Sequence, residues 1–284
     1  MKKKMFIALA GVAVLAAGCG STAQVKDGAT NESKLTVEEV FNKAVDRQAE
    51  IKSLKATTDM TQVMDINDGT ETVKMNTSAN MSMEIVIDPM QFYIDGTMAM
   101  TEGESGESLD MPLKMYMTAE DGFYMFDMES DSWLKLPSDM YESLLGQAGM
   151  QADATEQLKM LQKYVTDFTF EQSDKDFILT LKADGDQFTQ LIKDQMATSI
   201  PDMAEELSAE FDKMSFDDTM YKLIIDKETF DTKEIVMDMV LSMDVEGSSI
   251  KLDQKSTTKY NEINTISAIE IPKDVLDNAQ EINF

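Results

Sequence analysis

Eight methionines recur as Met-x-Met pairs: Met81 with Met83, Met98 with Met100, Met115 with Met117, and Met237 with Met239. Thioethers are soft ligands, and soft ligands select Cu(I). The same spacing has a plainer meaning, because alternate residues of a strand face one way. Each pair then puts two flexible, polarizable side chains on one face, to pack or to line a ligand surface. The strand alternation around the pairs already accounts for them, so the apolar reading ranks above copper. Asp65-Ile66-Asn67-Asp68-Gly69 has the composition of a calcium loop. Its glycine comes one position early and position twelve is Asn76 rather than Glu, so the segment reads as a hairpin turn. The chain contains no histidine, which removes the commonest general base and metal ligand. No nucleophile elbow, phosphate loop or zinc spacing occurs. We expect no catalytic residue, no metal site and no cofactor, hence no enzyme.

The one cysteine, Cys19, has a distinctive setting. Met1-Lys2-Lys3-Lys4 is a short basic start, and Met5 to Ala17 is an apolar run too short to span a bilayer. The run ends in Leu15-Ala16-Ala17-Gly18-Cys19, which resembles the bacterial lipobox. That resemblance implies cleavage after a signal peptide of residues 1–18. It also implies a diacylglyceryl group on the Cys19 thiol, palmitate-type acyl chains, and an anchor on the extracytoplasmic face of the cell membrane. Each buried CH₂ contributes about 0.8 kcal/mol, so two chains hold a protein where one is marginal. No later stretch approaches the roughly 20 apolar residues of a spanning helix. The expected membrane partner is therefore reached through the anchor alone.

The formal charge of −28 becomes −31 once the leader's three lysines are removed. Such a surface repels nucleic acid, which is excluded as a partner. With Cys19 acylated, the mature chain has no thiol for a disulfide or for nucleophilic catalysis. Methionine is unusually abundant at 25 residues.

Gly20 to Lys34 is small and polar and reads as a flexible tether, making residues 19–34 a linker. Thr36-Val37-Glu38-Glu39 is a capping box. Val37, Val40, Phe41, Ala44, Val45 and Ile51 then follow at helical spacing, which predicts an amphipathic helix ending near Leu54. Period-two alternation starts at Met60. It runs through strands around 71–87, 92–100, 113–117, 123–128 and 133–136, with turns at Asn67-Asp68-Gly69, Asp88-Pro89, Gly103–Gly106 and Asp121-Gly122. Helices are predicted from Ser138 to Leu145, from Thr155 to Tyr164 and from Asp186 to about Met214. The last is a candidate lid, with Pro201 as its break. Strands return at 168–181, 221–225, 234–246 and 250–263, and Ile269–Pro272 closes the pattern. Short turns between alternating strands predict one antiparallel sheet with one apolar and one wet face.

This arrangement resembles the LolA/LolB-type fold, including the LppX–LprG branch of bacterial lipoproteins. The shared order is lipobox, polar tether, a helix ending in Ile51-Lys52-Ser53-Leu54, then long antiparallel strands. Tyr221-Lys222-Leu223-Ile224-Ile225-Asp226-Lys227-Glu228-Thr229 resembles that family's hairpin. Asp121-Gly122 through Trp133-Leu134-Lys135-Leu136 resembles its central hairpin, and Ile269-Glu270-Ile271-Pro272-Lys273-Asp274-Val275 its last strand. The resemblance implies an α+β class over a single domain, 35–284. A curved antiparallel half-barrel would have helices packed on its concave face and an apolar cavity for acyl chains. The expected function is binding or carrying a lipidic or other apolar ligand, lined by Met81, Met83, Met98, Met100, Met115, Met117, Met237 and Met239. The alternatives are an envelope interaction or signalling lipoprotein with a filled core and, more distantly, Cu(I) binding through the Met-x-Met pairs.

Overall fold

Alternation of Met, Ile, Val and Leu with Thr, Ser, Asn and Asp produces strands that are long and continuously paired. The computed structural model describes residues 22–26, 28–103, 106, 108–137, 161, 168–183, 190, 214–245 and 248–282. Its strands are β1 (Gln24–Val25), β2 (Ser53–Asn67), β3 (Thr72–Val86), β4 (Gln91–Glu102), β5 (Ser108–Thr118), β6 (Gly122–Asp127) and β7 (Ser132–Lys135). They continue as β8 (Thr169–Gln172), β9 (Asp176–Ala183), β10 (Met214–Asp226), β11 (Thr232–Val245), β12 (Ser248–Asn261) and β13 (Gln280–Glu281). The helices whose full spans are among the described residues are α1 (Val37–Gln48) and α2 (Lys273–Asn278).

All the strands join one curved thirteen-stranded sheet in the order β1-β8-β9-β10-β11-β12-β2-β3-β4-β5-β6-β7-β13. The pairings from β8 to β7 are antiparallel. The expected α+β class, a curved antiparallel sheet with helix laid on it, is found. Both outermost strands are two-residue parallel additions, β1 on β8 and β13 on β7. Unpaired strand edges template aggregation, and very short outer strands blunt them.

The capping box at Thr36 is present. Glu39 N–H donates to the Thr36 hydroxyl at 3.2 Å, and the Glu39 carboxylate accepts the Thr36 N–H at 2.8 Å. α1 buries Val37, Val40, Phe41 and Ala44 against Phe170, Phe177, Leu179, Leu223 and Ile225 of β8, β9 and β10. Burying each such large side chain contributes about 1.5–3 kcal/mol. Arg47, in the last turn, donates to Asp231 at 2.7 Å and ties α1 to the β10–β11 turn.

Three expectations are corrected. The helix stops at Gln48 rather than near Leu54, because Ser53 and Leu54 are captured by Val86 and Ile85 of β3. Ile269–Pro272 forms no strand. Ile269 and Ile271 are buried as extended chain, and α2 follows. The segment 20–34, expected as a flexible tether, is laid on the sheet from Thr22 onward, because the Gln172 side chain binds its backbone. Cys19 and the expected signal peptide at 1–18 lie outside the described residues. So do the helices expected at 138–145, 155–164 and 186–214 and the break expected at Pro201, apart from Leu161, which is buried in the core, Gln190, and Met214, which begins β10.

Candidate functional site

Residues paired across an antiparallel ladder point to the same face. The register can therefore be followed from strand to strand. One row runs Met237, Ser256, Met60, Ala79, Met98, Met111, and the next runs Met239, Gln254, Gln62, Thr77, Met100, Leu109. Further along the strands, Ala56, Met83, Ile94, Met115 and Met125 form another row. Met81 lies opposite Gly96, and Met117 lies between Phe92 and Phe123. All eight predicted methionines thus share one face, the face that α1 covers at the β8–β10 end. They are half-buried except Met117, which is 2% exposed and belongs to packing. Leu109, at the start of β5 on the same face, is 53% exposed.

Sequence spacing missed how the methionines meet. No Met-x-Met pair faces another pair directly. Instead Met64 faces Met75, Met98 faces Met111, Met115 faces Met125, and Met214 faces Met243. Met237 and Met239 lie three strands from Met81 and Met83, about 14 Å at normal strand spacing. The four pairs are spread over a surface rather than gathered round a point, which suits apolar contact better than a thioether cage. Among the described residues no group of His, Cys, Asp or Glu forms a metal cluster.

Gly96 makes room in this surface. A Cβ there would lie 2.4 Å from the Asn80 carbonyl oxygen and 2.9 Å from Met81 Cα. The far end of the face is closed by Ile51, Leu54 and Ala56, with Met83, Ile85, Ile87, Tyr260 and Ile263 around them. Burial pushes the phenols of Tyr221 and Tyr260, both on this face, above the usual tyrosine range. That is the electrostatic signature of poorly solvated surroundings.

The opposite face is polar. Across β12, β2, β3 and β4 it holds an open groove of about 390 Å³, lined by Asp59, Thr61, Ser78, Asn80, Thr97 and Lys255 among others. Asn80 donates to the Asp59 carboxylate within it. None of the eight predicted methionines lines this groove, so it is not the apolar sheet–helix cavity anticipated for an acyl chain. Farther along the same face, Tyr93 and Tyr116 stack at 4.4 Å, and Trp133 and α2 pack beside Tyr116. The turn suspected of calcium chemistry is a hairpin. Its Asp68 carboxylate accepts the Thr70 hydroxyl and the Thr70 and Glu71 N–H groups, which lower it to about 2. No described helix is long and apolar enough to cross a membrane.

A family model described as a family of unknown function, DUF6612, matches residues 36–280. No curated protein matches the sequence. Among solved structures, a lipovitellin structure titled for lipid–protein interactions is similar at 8% identity and a TM-score of 0.33. The match covers 78% of this chain and 26% of that one, so the chain spans about a quarter of lipovitellin's length. A β-barrel-like DUF1849 protein from Brucella abortus is similar at 10% identity and a TM-score of 0.19, over 75% of this chain and 99% of that one. A putative outer membrane lipoprotein-sorting domain from Vibrio parahaemolyticus is similar at 8% identity and a TM-score of 0.18, over 85% and 97%.

Proposed function

The chain belongs to DUF6612, a family of unknown function, and we propose from its own geometry that it is a non-enzymatic lipoprotein presenting an apolar ligand surface outside the membrane. In this reading Cys19 carries the acyl anchor on the extracytoplasmic face of the cell membrane. A lipidic or other apolar ligand lies on the methionine face, in the manner of the LppX–LprG-type lipoproteins. The observation that carries the reading is the largely half-buried face from β11 to β6, on which methionines from six strands stand among Ile, Leu and Val and a few polar residues. Flexible thioether side chains adapt to varied apolar shapes, whereas a sealed core favours well-defined rotamers.

The test has two arms. Cys19→Ala should abolish acyl labelling and release the protein from the membrane fraction or leave it unprocessed. A mutant that stays acylated and membrane-bound sinks the anchor. For the ligand, protein lacking residues 1–18 and carrying Cys19→Ser is examined by native mass spectrometry and solvent extraction. Copurifying lipid is expected. Its absence leaves the second reading, an envelope interaction lipoprotein acting through its surface, which the polar groove over Asp59, Asn80 and Lys255 favours.

A further inference from the structure

The methionine face is not apolar throughout. Along β12 it presents Gln254, Ser256, Thr258 and Tyr260 in succession, because these positions share one parity. Gln62 of β2 lies directly opposite Gln254, and Thr77 of β3 lies opposite Gln62. Thr58 lies opposite Thr258, and their hydroxyls share a hydrogen bond at 2.9 Å. The Gln62 and Gln254 carboxamides are half-buried and have no hydrogen-bond partner among the described residues. Together these side chains form a polar seam, about 14 Å long from Gln254 to Thr258 at normal strand rise. Met237 and Met239 of β11 flank it on one side, and Met81 and Met83 of β3 on the other.

Charge is absent from the same surface. The charged residues of β2, β3 and β12, and those of β11 from Glu234 onward, all have the opposite parity and stand on the polar face. That division holds in a chain of 53 acidic and 25 basic residues. Four successive polar positions on one strand would leave unpaired groups in a sealed apolar core. A mostly apolar surface with a few convergent donors and acceptors is instead the usual make-up of a small-molecule site. Carboxamides and hydroxyls both donate and accept, so they match an ester, amide or hydroxyl. A phosphate or carboxylate would lie there without a countercharge, in surroundings whose poor solvation already raises the Tyr221 and Tyr260 phenols.

We propose that the seam is a binding site for the uncharged ester linkage of a neutral acyl lipid of the diacylglycerol class, held by Gln62 and Gln254, with its chains laid over the methionines on either side. The uncharged seam selects such a lipid over phospholipids and fatty acids. This names the ligand class for the apolar-ligand reading above and rests on it.

The experiment uses the full mature chain with Cys19→Ser. Radiolabelled dioleoylglycerol, oleate, dioleoylphosphatidylglycerol and hexadecane are each supplied in phosphatidylcholine vesicles. The vesicles are removed by flotation, and the label left with the protein is counted against its partition into the vesicles. Dioleoylglycerol should be retained about ten-fold better than oleate or dioleoylphosphatidylglycerol, the worth of one or two net hydrogen bonds. Gln62→Leu with Gln254→Leu should remove that advantage and leave hexadecane retention unchanged. Replacing both opposed carboxamides by apolar groups leaves neither facing the other unpaired, so the fold should hold, as circular dichroism checks. Thr58→Val with Thr258→Val conserves shape and should lower dioleoylglycerol retention in the same direction. Equal or better retention of either charged lipid overturns the neutral class. Unchanged dioleoylglycerol retention in both folded double variants, or a parallel loss of hexadecane, overturns the seam. Retention of hexadecane without dioleoylglycerol by the unsubstituted face overturns this proposal alone. Retention of no probe at all overturns the apolar-ligand reading itself.

Discussion

Gln172 and Ser33 hold each other by two hydrogen bonds across 139 positions of chain: the Gln172 side-chain oxygen accepts the Ser33 N–H at 2.8 Å, and its amide donates to the Ser33 carbonyl at 3.1 Å. A third bond, to the Ala23 carbonyl at 3.0 Å, is fully buried. One glutamine thus substitutes for a strand partner at two places in the N-terminal segment.

Gln172→Ala removes all three bonds and leaves the buried Ala23 carbonyl, which costs about 1–3 kcal/mol when unpaired, and the part-buried Ser33 groups without this partner. Thermal unfolding should occur at lower temperature than in the native protein. Limited proteolysis should open residues 22–35 before the sheet. Unchanged resistance of that segment would show that β1 pairing alone secures it.

Acid should loosen the same segment. The backbone N–H groups of Asn31 and Thr30, followed by the Thr30 hydroxyl and the charge of Lys227, hold the Asp174 carboxyl below the usual carboxylate range. A folded value below the unfolded one, about 3.9, means the contribution is present above that pH and is lost as pH falls through the folded value. Protection of the Thr30 and Asn31 amides, read as exchange relative to the intrinsic rate at each pH, should fall on acidification in the native protein. Asp174→Asn should flatten that dependence. Identical acid profiles for the two proteins would refute the assignment.

The methionine face predicts unequal costs for the same substitution. Met117, at 2% exposure, is sealed between Phe92 and Phe123, and Met117→Ala should cost about 2–5 kcal/mol. Met98 is half-buried on an open part of the face, and Met98→Ala should cost about 1 kcal/mol or less. Chemical denaturation of both variants decides this. Equal large losses would mean that the face is a closed core.

Gly96→Ala should destabilise by about 1–3 kcal/mol, the range for overpacking. Its added methyl meets the Asn80 carbonyl and the Met81 Cα, backbone atoms that move only if β3 and β4 part. Chemical denaturation that leaves the midpoint unmoved would show that the two strands yield without cost.

Period-two alternation by itself determined the antiparallel sheet, the strands expected at 71–87 and 234–246 and found at Thr72–Val86 and Thr232–Val245, and the shared face of each Met-x-Met pair, because side-chain direction in a strand depends only on position parity. The Thr36–Glu39 capping box and the Asp68 and Asp226 turns were equally legible, since their hydrogen bonds span no more than three residues. Register between distant strands was not legible. It decided that Met98 faces Met111 rather than Met81, and that the open groove lies on the polar side. Nor did anything local mark Ile51 and Leu54 as leaving the helical pattern, because both suit either element until β3 is present to pair with them. The docked N-terminal segment was hidden for the same physical reason. Small polar residues from Gly20 to Lys34 read as flexible in isolation, and the partners that hold the segment from Thr22 onward, the Gln172 side chain, the Asp174 carboxylate and the β8 backbone, are brought to it only by the fold.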